Sequence, residues 1–536
     1  MSKQIELVVV INKEDKNTGF LGVSEHLGVG YIKSCLVDEG YDVLIKDIVY
    51  TVDIDVKSCF SENSFIVGFS AYSDNMNETI EVARMVKETY PHIHITIGGP
   101  QVNSYEEKIL MDNSFIDSVI FFEGEQTFVE LANRLSQGKS LEACEGLVRR
   151  NNKGKIEKNS CRPSILDLDS LPYPSRDTYE KVKQKYLYIA GSRGCLGGCS
   201  FCGETSIKAC IQPPYVRLRS AKSIVDEMEY LIAKYQVNSF RFTDATFEDP
   251  EGIGSRRANE IFDLIIERNL KVSLHLFTRA DLVVKECFDY FLKAKRAGVE
   301  CFYIGVEAGN HADIKLYHKK ASYQVSRQAI EIIRKAGIHV GIGYICFNPY
   351  STYDTLKGNA EFLYSTHLGH VFYLLQTRLE LFPQALVRKK MEEDGLIEDF
   401  DYRSYFYNYR FKEPYIDSLY KNIKRAYKKE PIYYMDTLLE MDRTWWSVYM
   451  HGEKARRIGL LFQEKDALCE EYRVKNYEFF LECLDLSANG ATETHFDNLI
   501  DKYRLDEIYQ PFVEIYNKIN IRITKERYKM LKGAER

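Results

Sequence analysis

The 536-residue chain is short of several things, and each shortage closes off a class of function. No block of Lys or Arg stands out, and 72 basic against 78 acidic residues leave a formal net charge of −6. That balance gives no reason to expect a nucleic acid or an anionic membrane surface as partner. No apolar run approaches the length that crosses a bilayer, so no membrane partner is expected either. The opening MSKQIELVVVIN has a brief apolar stretch that breaks at Asn12 and Lys13. It lacks the long apolar core and small-residue cleavage site of a secretory signal, which leads to the expectation of a cytoplasmic protein. There is no internal repeat and no low-complexity stretch. What remains is an ordinary globular composition, 45% apolar and 28% charged, at a length that calls for two or three cores.

Cysteine is present but mostly unorganised. Thirteen are scattered from Cys35 to Cys483, nearly all alone in apolar surroundings. In a reducing compartment these read as buried small hydrophobes rather than disulfides. One group differs: GSRGCLGGCSFCGE brings Cys195, Cys199 and Cys202 together as Cys-x3-Cys-x2-Cys.

Around that group the pattern is α/β. In residues 1–140 the runs IELVVVI, DVLIKDI, FIVGFSAY, HIHITIGG and DSVIFF read as five buried strands. Leu27, Tyr31 and Cys35, then Val82, Val86 and Tyr90, then Phe128, Leu131 and Leu135 mark helix faces between them. The alternation predicts a doubly wound, flavodoxin- or Rossmann-like parallel sheet with its ligand beyond the carboxyl ends of the strands. Residues 141–185 lose the alternation: Asn151, Asn152 and Gly154 suggest a turn, and LDSLPYPSRD an extended linker. From 186 to about 385 it resumes. YLYIAG, NSFRFT, KVSLHLF, CFYIGV, IHVGIGYICF and HVFYLLQ predict a partial, six-unit TIM-like barrel. Residues 386–536 read as helical, with apolar spacing at Met435, Leu438 and Leu439. Trp445 and Trp446 either cover the barrel mouth or sit in a helical core, and core is the reading favoured.

Three thiolates on a glycine-loosened loop can converge on one metal centre. A [4Fe–4S] cube takes four ligands, so three from protein leave one iron open. A zinc knuckle would need a second Cys/His pair at knuckle spacing, and the sequence has none.

The motif, with Phe201 before its third cysteine, resembles that of the radical S-adenosylmethionine (SAM) superfamily. By that resemblance the open iron chelates SAM, and reductive cleavage gives a 5′-deoxyadenosyl radical. FTDATFED (Thr243 to Asp249), FTRADLV and IGVEAGN resemble later motifs of its cobalamin-linked branch and imply that Asp244, Arg279, Glu307 and Gly309 line the SAM site. The family's Gly-Gly-Glu motif is absent in that form. EHLGVGYIKSCLVDEGYDVLIKD, VGFSAYSDN, TIGGPQV and EGEQTF resemble the cobalamin-binding domains attached to such enzymes, which implies cobalamin contacts at Ser70, Gly98 and Gly99. One departure stands out. The Asp-x-His-x-x-Gly pattern of methionine-synthase-type domains, aligned on Gly28, falls on Val23 and Glu25, with His26 one place off, so the lower ligand of cobalt is unassigned. Tyr344 and Cys346 are candidates to face the barrel interior and touch substrate, or else to fill the barrel.

The resemblance implies a methyltransferase that acts through the 5′-deoxyadenosyl radical and methylcobalamin on an unactivated carbon of a small molecule or peptide. An external one-electron reductant of flavodoxin or ferredoxin type would serve it. The alternative is a cobalamin-dependent rearrangement, cyclisation or ring contraction without methyl transfer. Methylthiolation of tRNA would need a second cysteine set, which Cys35, Cys59 and Cys144 do not resemble. A non-catalytic cobalamin sensor would have no use for the cysteine triad.

Overall fold

The apolar runs near the amino terminus have no polar face to turn to water, so strands made from them must be covered on both sides. The computed structural model describes residues 4–11, 25–151, 153–179, 186–208, 211–248, 250–398, 401–403, 407–426 and 431–533. Asn12, Lys13, Val23, Asn152 and Asp249 lie outside the described residues. The chain runs through β1 (Gln4–Ile11), α1 (Leu27–Asp38), β2 (Asp42–Val49), β3 (Ser64–Ser70), α2 (Met76–Thr89), β4 (His94–Gly98), α3 (Glu106–Asp112), β5 (Ser118–Ile120) and α4 (Gly124–Ser136). The five strands pair in parallel in the order β2-β1-β3-β4-β5. Strand alternation sends Val8 and Val10 into one core with α2 and α3, and Ile5, Leu7 and Val9 into another with α1 and α4. Glu6, fully buried in β1, is neutralised by Lys46 of β2 at 2.8 Å.

The stretch from 141 does not leave the sheet at once. β6 (Leu147–Arg150) and β7 (Ile156–Lys158) form an antiparallel hairpin on the β5 edge, closed by the turn at Asn151 and Gly154. The proline-rich connector then crosses α1. Ser175 O would stand 2.4 Å from a Cβ on Gly30, so only glycine admits it there.

The second unit comprises β8 (Leu187–Ile189), β9 (Ser192–Arg193), β10 (Arg217–Leu218), α5 (Ala221–Tyr235), β11 (Ser239–Phe242), α6 (Arg256–Glu267), β12 (Ser273–Arg279), α7 (Phe288–Arg296), β13 (Val299–Glu307), α8 (His311–Leu316), α9 (Tyr323–Lys335), β14 (His339–Tyr344) and α10 (Tyr353–Ser365). Ser220, Ser255, Ser322 and Thr352 cap α5, α6, α9 and α10 by accepting a backbone N–H. Five strands pair in parallel as β14-β13-β12-β11-β8. The expected sixth strand is a correction. HVFYLLQ forms a 3₁₀ turn at Phe372–Leu375, and a single parallel bridge from Phe347 to Arg378 takes the strand's place. Phe372, Leu374 and Leu375 are all buried, and the Phe372 ring packs on Phe479 of the helical domain. Contacts to the barrel on one side and the helical domain on the other hold the segment as a turn.

The helical domain holds α11 (Val387–Glu393), α12 (Pro414–Ala426), α13 (Pro431–Tyr449), α14 (Gly452–Ala488), α15 (Glu493–Tyr503) and α16 (Tyr509–Gly533). Its core is continuous with that of the barrel. Trp445 is a core aromatic, buried beneath Arg527 4.8 Å from its ring, and Trp446 is partly buried, packed on Phe462 at the edge of that core. The strap between α11 and α12 reaches back to the first domain. Tyr402 sits in that core, its carbonyl accepting from Gln101 and its hydroxyl from Asn113. Among the described residues no helix is long and apolar enough to cross a membrane.

Candidate cofactor site at the carboxyl ends of two sheets

The cysteine loop leaves the carboxyl end of β8 and is fixed by backbone before any side chain acts. Arg193 pairs with Arg217 across β9 and β10, and Gly194 turns with φ +88°. A Cβ there would stand 1.9 Å from Tyr215 O, so the turn requires glycine. Ser200 anchors the far side, its N–H donating to Tyr317 O (3.0 Å) and its hydroxyl to Leu316 O (2.6 Å). Phe201 packs edge-on against Tyr317. Gly197 N–H donates to Cys195 Sγ at 3.1 Å, and a Cβ on Gly197 would lie 3.1 Å from that sulfur and 3.9 Å from Cys199 Sγ. Cys202 lies within electrostatic reach of both. Burial pushes its thiol up to about 11 and raises Cys199 too, so a bound metal must supply the charge that makes these groups thiolates.

The strand ends around the loop carry the other predicted residues. Asp244, after β11, is buried; its Oδ1 accepts from the N–H groups of Gly191 (2.6 Å) and Ser192 (2.8 Å). Burial pushes its carboxyl up to about 6 against the pull of Arg257 and those two bonds. Arg279 closes β12, paired with Asp281 at 2.5 Å. Glu307 ends β13 at a register shift with φ +71°, a strained position for a non-glycine residue. The bulge turns its carboxylate inward over Gly305 and Gly343, 3.4 Å from Lys319 Nζ. Lys319 is also electrostatically coupled to Cys199.

Three predicted residues point elsewhere. A Cβ on Gly309 would meet Phe362 at 2.2 Å, so this glycine serves helix packing. Tyr344 donates to Asn359 O of α10 (2.8 Å) and stacks on Phe362, on the helix-covered face of β14. Cys346 is fully buried in the same layer, its carbonyl accepting from Asn359. The interior positions of β14 are Gly341 and Gly343, which make room for Tyr303 and Glu307. His275, Phe277 and Tyr303 form an aromatic wall there, with centroids 5.3–6.4 Å apart. Burial, with Arg241 and His339 nearby, pushes His275 down to about 3, so its ring is neutral.

On the first sheet, Ser70 closes β3. Gly99 has φ +105°, and a Cβ there would meet Ala71 O at 2.5 Å. A Cβ on Gly98 would stand in ordinary contact with Ile120, 3.5 Å from its carbonyl oxygen and 3.6 Å from its Cβ. Glu25 is buried, its carboxylate 2.7 Å from Arg176 and accepting from Tyr188 N–H. Its Oε2 is therefore committed to the domain junction. His26 lies 3.5 Å from Asp47.

The two edges meet. Arg193, two residues before Cys195, pairs with Glu123 (3.0 Å) and Glu125 (2.5 Å), which follow β5, and Arg217 also reaches Glu123 (2.7 Å). Burial opposes charge on Glu123, yet the two arginines and the Ile165 N–H hold its carboxyl below the ordinary range. Gln384 bridges the other side, donating to Asn103 O beyond β4. Both halves of this lock, GSRGC and EGEQTF, stand in the sequence, but nothing local in it pairs them. Lys319 was missed for the same reason.

A model of the radical SAM superfamily matches residues 189–363, and one of the B12 binding domain matches residues 19–132. The chain belongs to the cobalamin-dependent radical SAM enzymes. An uncharacterized methyltransferase of Pyrococcus horikoshii is 26% identical over 361 residues, 66% of this chain and 75% of that protein. An anaerobic magnesium-protoporphyrin IX monomethyl ester cyclase of Synechocystis is 28% identical over 326 residues, 58% of this chain and 62% of that protein. In fold, the cobalamin-dependent SAM radical enzyme OxsB with aqua-cobalamin bound matches 94% of this chain and 84% of its own, with TM-score 0.65 and 17% identity. The cofactors of this radical SAM enzyme are a [4Fe–4S] cluster, SAM and cobalamin. The two thiols gathered over Gly197 fit the cluster.

Proposed function

We propose that this radical SAM enzyme transfers a methyl group to an unactivated carbon of a small molecule or peptide, drawing electrons from a flavodoxin- or ferredoxin-type protein. The observation that carries the reading is the Arg193–Glu123–Glu125 lock, which ties the cluster loop to the carboxyl edge of the cobalamin-binding sheet. When bound, the cluster and SAM supply a one-electron route to a hydrogen-abstracting carbon radical, and cobalamin supplies a transferable methyl group.

The chain's own residues arrange the rest. Cys195, Cys199 and Cys202 would hold the cluster by three thiolates, one fewer than its irons. Glu307 and Lys319 offer one charge of each sign beside Cys199, the pattern that the ammonium and carboxylate of a methionyl tail require. Asp244 fixes the Gly191–Ser192 turn from which the loop starts. The wall of His275, Phe277 and Tyr303 gives a substrate an apolar surface with a neutral imidazole in it.

The cyclase relative favours a second reading, ring closure or rearrangement without methyl transfer. SAM labelled on its methyl group separates the two when candidate substrates are incubated anaerobically with reductant. Methylation puts the label in the product; 5′-deoxyadenosine with an altered but unlabelled product supports the second reading and overturns the first.

A further inference from the structure

The opposite end of the barrel carries a donor set that this chemistry does not use. At the amino end of β14 a cavity of about 580 Å³ opens between the barrel and the helical domain, with His339, Arg334, Trp446 and Lys465 in its wall. Three side chains from separate elements meet there: His370 from the turn before Phe372, Asp436 from α13 and Cys469 from α14. One ligand atom from each, a ring nitrogen, a carboxylate oxygen and a sulfur, lies within 4.8 Å of the others. His370 Nε2 is 2.9 Å from Asp436 Oδ2, and Asp436 and Cys469 are 5% and 9% exposed.

We propose that His370, Asp436 and Cys469 form a zinc site that pins the helical domain to the barrel. The donors select the ion. Imidazole and thiolate suit a borderline-soft divalent metal, whereas magnesium and calcium take oxygen alone. The spacing suits it as well. With Zn–N near ~2.1 Å and Zn–S near ~2.3 Å, tetrahedral donors stand roughly 3.3–3.8 Å apart, so shifts on the order of 1 Å close the set.

The charges balance around the ion. Lys465, itself buried, places its ammonium 2.5 Å from Asp436 Oδ1 and 2.5 Å from Glu440. Asp436 thus keeps Oδ2 for the metal while Lys465 orients the carboxylate from its other oxygen. Carboxylate and thiolate neutralise a divalent ion, and Glu440 serves Lys465 together with Arg443, which also pairs with Asp466. Asn476 donates to the His370 carbonyl at 3.1 Å and holds the turn that carries the imidazole. The cavity supplies an entry path and room for water as the fourth ligand.

The site lies at the strand ends away from the cluster, since His339 begins β14 and Tyr344 ends it. Its role is therefore structural, and its test does not depend on turnover. Holoenzyme reconstituted anaerobically with iron, sulfide and cobalamin is equilibrated with zinc, dialysed, and analysed for metals and by zinc-edge X-ray absorption. The expected result is about one zinc per chain bound by one sulfur and otherwise by nitrogen and oxygen. The near-isosteric Cys469→Ser and the variant His370→Ala should lose the zinc and melt earlier, with iron and cobalamin contents unchanged. Wild-type holoenzyme that retains no zinc overturns the proposal, as does zinc with two or more sulfur donors or zinc that both variants keep. If a variant also loses iron, the wild-type spectrum alone decides.

Discussion

The two parallel sheets are made from similar β-branched and apolar runs, yet they dispose of polarity in opposite ways. In the first sheet, β1 turns Val8 and Val10 to one helical layer and Ile5, Leu7 and Val9 to the other. Both faces are consumed by packing, which leaves the strand ends, at Ser70 and Gly98, as its half-buried margin. In the second sheet only the outer face is packed, by Leu274, Leu276, Phe302 and Ile304. The inner face carries His275, Phe277, Tyr303 and the inturned Glu307. One sheet therefore offers an edge and the other an interior. A reaction in which a carbon radical must meet a methyl donor needs both, set against each other.

The largest expected effect separates the two. Replacing Cys195, Cys199 and Cys202 together by Ala should remove the iron, about four atoms per chain by the cluster's make-up, and abolish SAM cleavage. Cobalamin, held by the other sheet, should still bind, as counted spectroscopically. Loss of both cofactors would break the division.

The junction comes next. Arg176 is buried between Glu25 and Glu227, at 2.7 Å from each, and all three are 1–2% exposed. Arg176→Ala leaves two buried carboxylates without it and should cost about 3–5 kcal/mol in denaturant unfolding, because stranding a buried charge is the expensive case. A change under about 1 kcal/mol would show that water or movement relieves the pair.

Within the second sheet's shell, burial pushes Glu248 up to about 7. A carboxyl raised in the folded state contributes stability below its unfolded value near pH 4.5, and that contribution is lost as pH rises toward 7. Glu248→Gln should therefore gain on wild type by up to about 3 kcal/mol between pH 4.5 and 7.5, read from paired unfolding curves. A difference independent of pH contradicts this.

The smallest effect tests an inside–outside assignment. Tyr344→Phe removes one hydrogen bond to α10 and should cost about 1 kcal/mol with turnover unchanged. Lost turnover at an unchanged melting temperature would return Tyr344 to the active cavity.

What the sequence made legible follows from which signals are local. Strands of the first sheet announce themselves as unbroken apolar runs, and the cysteine loop by its own spacing. HVFYLLQ has the composition of a strand, but composition does not distinguish a pleat from a turn buried where barrel and helical domain meet. Tyr344 and Cys346 stayed open between touching substrate and filling the barrel because strand parity alone does not say which parity faces in. Gly341 and Gly343 answer that, since only missing side chains admit Tyr303 and Glu307. The ion pairs of Glu25 with Arg176 and of Arg193 with Glu123 join residues remote in the chain, and no periodicity reports them. Glu25 also stands where a cobalt-binding histidine stands in related domains, a place the chain has turned over to holding its domains together.

The central claim, that cluster and cobalamin share one cavity, is tested most directly by electron paramagnetic resonance of holoenzyme prepared with cob(II)alamin. The account predicts that reducing the cluster broadens or splits the cobalt signal through spin–spin coupling, with no substrate needed. A cobalt signal unchanged by cluster reduction, in protein with full iron and cobalamin, would contradict it.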